Sequence, residues 1–160
     1  MAITQRHSAF PHLCLVEFSG VVFLKDVEEH LKFRFAHRDL LAADTFCQVR
    51  EDCHVVDVTA KAIDALRASL RAPLKAAALP MIRRTAWLVF SPAVRAVLIQ
   101  AMRERTTTDG LYAAPRLVST PAEAAQWLGA DEATLMRLAA EAPIVATFPA
   151  RAGARAASAG

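Results

Sequence analysis

Between Leu13 and Phe18 the chain reads Leu-Cys-Leu-Val-Glu-Phe, an apolar run closed by Ser19-Gly20, and a short run bounded by turn residues predicts a mostly buried strand. Residues 3–9 offer that strand a hairpin partner ahead of Pro11. The period then changes. From Phe23 to Arg38, Leu24, Val27, Leu31 and Phe35 recur at helical spacing, while Lys25, Asp26, Glu28, Glu29 and Lys32 supply a charged outer face, which predicts an amphipathic helix with one core side. Asp39 to Asp52 has no firm periodicity and reads as a connection, with a short strand around Phe46 to Val49. His54-Val55-Val56-Asp57-Val58 is β-branched and compact, so it predicts a strand, and Thr59 caps a following helix that carries Ile63, Leu66 and Leu70. Pro73 and Pro80 make Ala72 to Arg84 either a broken helical piece or a long connection.

Thr85-Ala86-Trp87-Leu88-Val89-Phe90 has the apolar continuity of a central strand covered on both faces. Ser91-Pro92 then sets an N-cap and a first-turn proline, and Val94, Val97, Leu98, Ala101 and Met102 form the inner stripe of the next helix, which stops before Thr106 to Gly110. A last strand at Ala114 to Ser119 runs into Thr120-Pro121-Ala122-Glu123, a capping box, and Ala124, Trp127 and Leu128 face inward until Gly129 ends that helix. Asp131 opens a terminal helix bearing Leu135 and Leu138, which Pro143 stops. Strands alternating with helices predict an α/β fold, a mixed sheet of four to five strands joined by right-handed crossovers. Residues 1–145 form one domain on this reading, and 146–160, rich in Ala, Gly, Ser and Arg, form a disordered tail.

The stretch from Arg84 to Leu128, with its Thr-Ala-Trp-Leu-Val-Phe strand, its helix opening at Ser91-Pro92 and its ending Glu123-Ala124-Ala125-Gln126-Trp127-Leu128, resembles the SpoIIAA-like branch of the STAS fold. Upstream, the strand ending Val56-Asp57-Val58 looks like that family's central strand, and the similarity of arrangement covers residues 13–128. The resemblance implies a mixed sheet with helices mainly on one face, and a regulatory or ligand-binding role without chemistry of its own. The family's anti-sigma-factor antagonists carry a phosphorylatable serine in an Asp-Ser-Ser-Gly-like stretch at the second helix. Asp57-Val58-Thr59-Ala60-Lys61 has neither the serine pair nor the glycine, so the phosphoswitch is not carried over, and Thr59 reads as a helix cap.

Composition narrows the function classes. At 160 residues with 54% apolar residues the chain is long enough for one well-filled core. Nineteen Lys and Arg against sixteen Asp and Glu give +3, and the basic residues are scattered, with Arg83-Arg84 beside Arg67 and Arg71 as the nearest thing to a patch, which argues against nucleic acid. No apolar run approaches the roughly 20 residues of a membrane span, and the N-terminus lacks a signal peptide's apolar region, so a cytoplasmic protein, monomer or homodimer, is expected. Cys14, Cys47 and Cys53 show no metal-binding spacing and read as ordinary thiols. His30 and His37, seven apart on one helix, are too far apart to share an ion, and the five glycines stand singly, so no metal, no cofactor and no phosphate loop is expected.

The remaining candidates are geometric. Thr59, Ser91 and Thr120 each sit where a strand gives way to a helix, and with Lys61 they define a candidate ligand or anion site at one end of the sheet. The preferred expectation is a non-catalytic domain that binds a partner protein or a small, apolar molecule. The alternatives are a small enzyme using Asp57, His54 or Cys53, and a self-associating subunit built on the unexplained apolar residues Leu40, Leu41 and Phe46. Trp87 and Trp127, at periodic positions, read as core.

Overall fold

The computed structural model describes residues 2–77, 83–103 and 113–149. Strands β1 (Ile3–Ser8) and β2 (Leu13–Phe18) form the expected hairpin, pairing antiparallel from Ile3 opposite Phe18 to Ser8 opposite Leu13. After the short strand β3 (Val21–Phe23) come helices α1 (Leu24–Ala36) and α2 (Arg38–Ala42), strands β4 (Asp44–Val49) and β5 (His54–Val56) and helix α3 (Ala60–Ala77). Strand β6 (Arg83–Val89), helix α4 (Pro92–Arg103), strand β7 (Ala113–Val118), helices α5 (Pro121–Leu128) and α6 (Glu132–Glu141) and strand β8 (Ile144–Phe148) complete the order. Six strands form the main sheet in the order β7-β6-β4-β2-β1-β8, with β2, β4, β6 and β7 mutually parallel and β1 antiparallel to both neighbours.

That order explains where the helices lie. The steps β2 to β4, β4 to β6 and β6 to β7 all move the same way across the sheet, and right-handed crossovers then send α1, α2, α3 and α4 to one face. The return from β7 to β8 runs the other way, across the whole sheet, and takes α5 and α6 over the opposite face. Alternation along the strands separates the two cores accordingly. Leu13, Leu15, Phe46, Ala86, Leu88 and Val118 pack under Ala124 and Leu128 of α5 and Leu135 and Leu138 of α6. Val16, Phe18, Cys47, Val49 and Val89 face Val94 of α4, with Val27 of α1 and Leu98 of α4 against them.

Several expectations hold at residue level. Thr120 caps α5 through a 3.2 Å bond from the Glu123 amide, Glu123 accepts from Ser119 in return, and Gly129 ends the helix in the left-handed region at φ 66°. Asp131 likewise caps α6 by accepting from the Thr134 amide at 2.8 Å.

Four expectations change. The sheet has six strands and not four to five, because β1 is fully paired and β8, within the residues expected to be domain end and tail, pairs with β1 from Ile3 opposite Phe148. The central strand is Asp44–Val49, between β2 and β6, whereas His54–Val56 pairs with Val21–Phe23 in a separate two-stranded sheet, so the stretch likened to the family's central strand lies at the periphery. Helix α2 places Leu40 and Leu41 in the core, and β4 places Phe46 there, which removes the ground for self-association through that segment. Helix α3 runs on through Pro73, which is exposed, where a break or a connection was expected. The helix distribution is four on one face and two on the other. The interruption at Pro80, the stop before Gly110 and the tail from residue 150 lie outside the described residues.

The polar residues that disguised β4 have tertiary partners. Asp44 accepts from the Arg84 backbone at 2.9 Å and from its guanidinium at 3.2 and 2.7 Å, and the same guanidinium donates to the carbonyl of Trp127 at 3.2 Å, locking β4, β6 and the end of α5 together. Asp44→Ala is expected to lower stability by about 1–2 kcal/mol, the range of charge-assisted hydrogen bonds at a partly exposed site, and Asp44→Asn by less. Thermal unfolding of the two variants checks this: equal losses would place the stabilisation in side-chain packing.

Candidate functional site

The face under α1, α3 and α4 is not filled. A cavity of about 360 Å³ lies between these helices and the sheet. Its floor is built by strand alternation: Thr45 and Cys47 of β4, Arg83, Thr85 and Trp87 of β6, Phe18 of β2 and Pro115 of β7. Its roof is the α1 stripe Val27, His30, Leu31, Arg34 and Phe35, whose three- and four-residue spacing brings them to one side of the helix, with Leu70 of α3 and Leu98 of α4 beside them. A second compartment of about 160 Å³ shares Phe18, Val27, Trp87 and Leu98 with the first and continues toward Val22, Val55, Ile63 and Val97. Among the described residues its wall holds no charged side chain.

The larger compartment is polar at one end only. Arg34 and Arg83 belong to it together with Thr45 and Thr85, all next to the start of β4 and β6 or facing it from α1. One terminal nitrogen of Arg34 donates to the Leu40 carbonyl at 2.8 Å and to the Thr45 hydroxyl at 3.0 Å. Arg83 is 8% exposed and donates from one terminal nitrogen to the Leu41 carbonyl. The Nε of each guanidinium is buried without an acceptor, and among the described residues neither arginine has a carboxylate partner. Burial, and secondly the charge of Arg34, pull the Arg83 pKa down to about 10, which leaves it charged at neutral pH.

The other titratable groups of the cavity stay neutral. His30 is 5% exposed, lies between the rings of Phe18 and Phe148 at 6.4 and 5.6 Å, and has no partner at Nε2. Burial first and the nearby Arg34 second lower its pKa to about 3. Burial raises the Cys47 thiol to about 12. An uncharged imidazole and a protonated thiol thus face two guanidiniums that carry full charge.

The residues expected to form a site lie elsewhere. Thr59 caps α3, accepting from the Ala62 amide at 3.1 Å, and Lys61 beside it is exposed. Ser91 is buried, donates to the Cys53 carbonyl at 2.9 Å and accepts from the Val94 amide at 3.4 Å. Thr120 caps α5, on the other face of the sheet. None of these four lines either compartment. Cys53 lines the smaller compartment, buried against Val22, Val49 and Val89 with its thiol raised chiefly by burial, while His54 and Asp57 are exposed and line neither compartment. Asp57 adopts φ 62°, a left-handed turn conformation that Asp tolerates better than most residues. His37 stacks on Phe33 at 4.2 Å, apart from the buried His30. Trp87 lines the cavity, and Trp127 lies under Arg116 at 5.1 Å.

Among the described residues no group of three or more His, Cys, Asp and Glu is placed to hold a metal ion, and no helix is long and apolar enough to cross a membrane. In the sequence Arg34 does not stand out, and Arg83 and His30 read only as part of a scattered basic patch and as a histidine too far from His37 to share an ion, although His30 and Arg34 fall within the helical stripe defined by Val27, Leu31 and Phe35.

The His30 geometry generates a pH dependence. The folded state refuses a proton that the unfolded state takes up at its ordinary value near 6.5, so the contribution of His30 is complete above that pH and is lost as pH falls from about 6.5 toward 3. The expected slope is about 1.4 kcal/mol per pH unit in that window. His30→Phe, which keeps the ring contacts, should flatten this part of the profile. Denaturant unfolding of both proteins at pH 7.5 and pH 5 reads the difference, and parallel profiles would show that His30 accepts a proton in the folded state.

No protein-family model, no curated protein and no solved structure matches the chain.

Proposed function

We propose that this chain is a non-catalytic binding domain whose two-part cavity takes up one small, mainly apolar molecule. The observation that carries the reading is the cavity itself: about 360 Å³, within the usual range of ligand pockets, walled by aliphatic and aromatic side chains with a few polar groups at one end. The side chains facing it favour binding over chemistry. A buried imidazole with a pKa of about 3 is a poor base near neutral pH, and a thiol raised to about 12 is a poor nucleophile. Kinship with SpoIIAA-like domains, and a cytoplasmic setting, belong to the same proposal, and the support for the kinship is the strand and helix pattern from Arg84 to Leu128.

A second reading, binding of a partner protein, is favoured by the large apolar side chains Val21, Phe23 and Phe90, each about half exposed at 52, 48 and 54%. The enzyme alternative, a site using Asp57, His54 or Cys53, has less to support it, since the Cys53 thiol is buried and raised by burial and His54 and Asp57 are exposed.

Native mass spectrometry of gently purified protein, set beside the denatured sample, is the direct test. The expected result is an extra small-molecule mass that disappears on denaturation. Cys47→Phe, which projects a ring from the cavity floor, should reduce that occupancy at least tenfold while the variant still unfolds cooperatively. A clean mass for the unmodified protein, together with no thermal shift on adding apolar ligands, would overturn the small-molecule reading in favour of a protein partner.

A further inference from the structure

Taking the cavity to be a ligand site, we propose that its ligand is an amphipathic monocarboxylate, with the carboxylate held by Arg34 and Arg83 and an unbranched apolar tail running past Trp87 and Leu98 toward the second compartment. The inference rests on that reading and adds the ligand's charge and orientation.

Charge complementarity carries it. Two guanidiniums face the same end of the cavity, Arg83 from the floor and Arg34 from the roof, yet no described carboxylate lies against either. Uncompensated buried charge is costly, and proteins commonly meet that cost with a paired anion. Here the internal acceptors are the carbonyls of Leu40 and Leu41 at the end of α2 and the Thr45 hydroxyl. The Nε of each guanidinium is buried with no acceptor. A planar carboxylate is the acceptor that matches a guanidinium fork, by two parallel bonds.

The neighbouring groups exclude the opposite choice. A cationic head would meet Arg34 and Arg83 unshielded, and His30 and Cys47 carry no negative charge to receive it. Strand position sets the direction: Arg83 and Trp87 are four residues apart on β6, about 13 Å along the floor. The charged end is thus separated by a chain's length from Phe18, Val27, Trp87 and Leu98, which also line the smaller compartment, where no described wall residue is charged. At about 30 Å³ per water-sized group, the larger compartment holds on the order of a dozen non-hydrogen atoms, the size of decanoate.

Decanoate, decanol and decylamine, each titrated at pH 8 into the full chain below their aggregation concentrations and followed by Trp87 fluorescence and calorimetry, separate the possibilities. Decanoate is expected to bind one per chain and at least tenfold more tightly than decanol, and decylamine not at all. Arg83→Met and Arg34→Met should each weaken decanoate at least tenfold and leave decanol unchanged, and the comparison of the three probes in the unmodified protein holds even if a variant fails to fold. Decanol or decylamine binding as well as decanoate would overturn the carboxylate head and leave the cavity reading standing. Decanoate binding that ignores both arginine variants would overturn its placement. Failure of all three probes, with a clean native mass, would overturn the cavity reading itself.

Discussion

Three successive crossovers, β2 to β4, β4 to β6 and β6 to β7, step in one direction across the sheet, and the right-handed bias of such units commits their helices to a single face. The rest of the molecule follows from that constraint. The opposite face would be bare without α5 and α6, which are the only described helices that cross it, and carrying the chain back over it delivers β8 to the far edge beside β1. The Asp44–Arg84 pair at the start of β4 and β6 ties the sheet to the helices that cross this face, because Arg84 also reaches the end of α5.

The two faces meet different physical demands. Under α5 and α6, Phe46, Ala86, Leu88, Val118, Ala124 and Leu135 are almost wholly removed from solvent and packed on one another, the condition that gives the sheet a rigid floor. On the other face the helices stand over side chains of uneven size and polarity, including Thr45, Cys47, Arg83 and Thr85, and these do not fill the space beneath α1. Unfilled apolar volume forfeits dispersion contacts, so a molecule that restores them stabilises the folded state. Its contribution grows by mass action, about 2.7 kcal/mol at a hundredfold excess over the dissociation constant.

Charge organises that space. The arginines are held next to the strand starts by the carbonyls of α2 and by Thr45, while burial keeps His30 and Cys47 neutral. Polarity therefore falls along the cavity from the arginine end to Trp87 and beyond, a gradient suited to a molecule with one charged end. The helix caps Thr59, Ser91 and Thr120 lie outside its lining, and each hydroxyl accepts from its own helix's first-turn amide.

Local chemistry was legible. The hairpin strand Leu13–Phe18, the proline-led start of α4, the Thr120 cap with its returning Glu123 and the Gly129 stop depend on neighbours within a few residues, and the periodicity and capping rules that read them act over that range, whereas Asp26, expected on the outer face of α1, is buried. What depended on distant partners was not. Asp44 and Thr45 made β4 look like a loop because their partners, Arg84 and Arg34, are supplied by other elements. β5 has a strand's composition whether it joins the main sheet or a separate pair, and β8, with Ile144 and Val145 exposed, lacks the buried pattern that marks a strand. The candidate site followed the same division. The sequence by itself determined the hairpin strand, the strand from Thr85 and the starts of α3, α4, α5 and α6, whose signals are local. Only the tertiary structure decided strand order, the six-stranded width and the cavity, because a void faced by two guanidiniums without a described carboxylate partner comes from the packing of elements far apart in the chain.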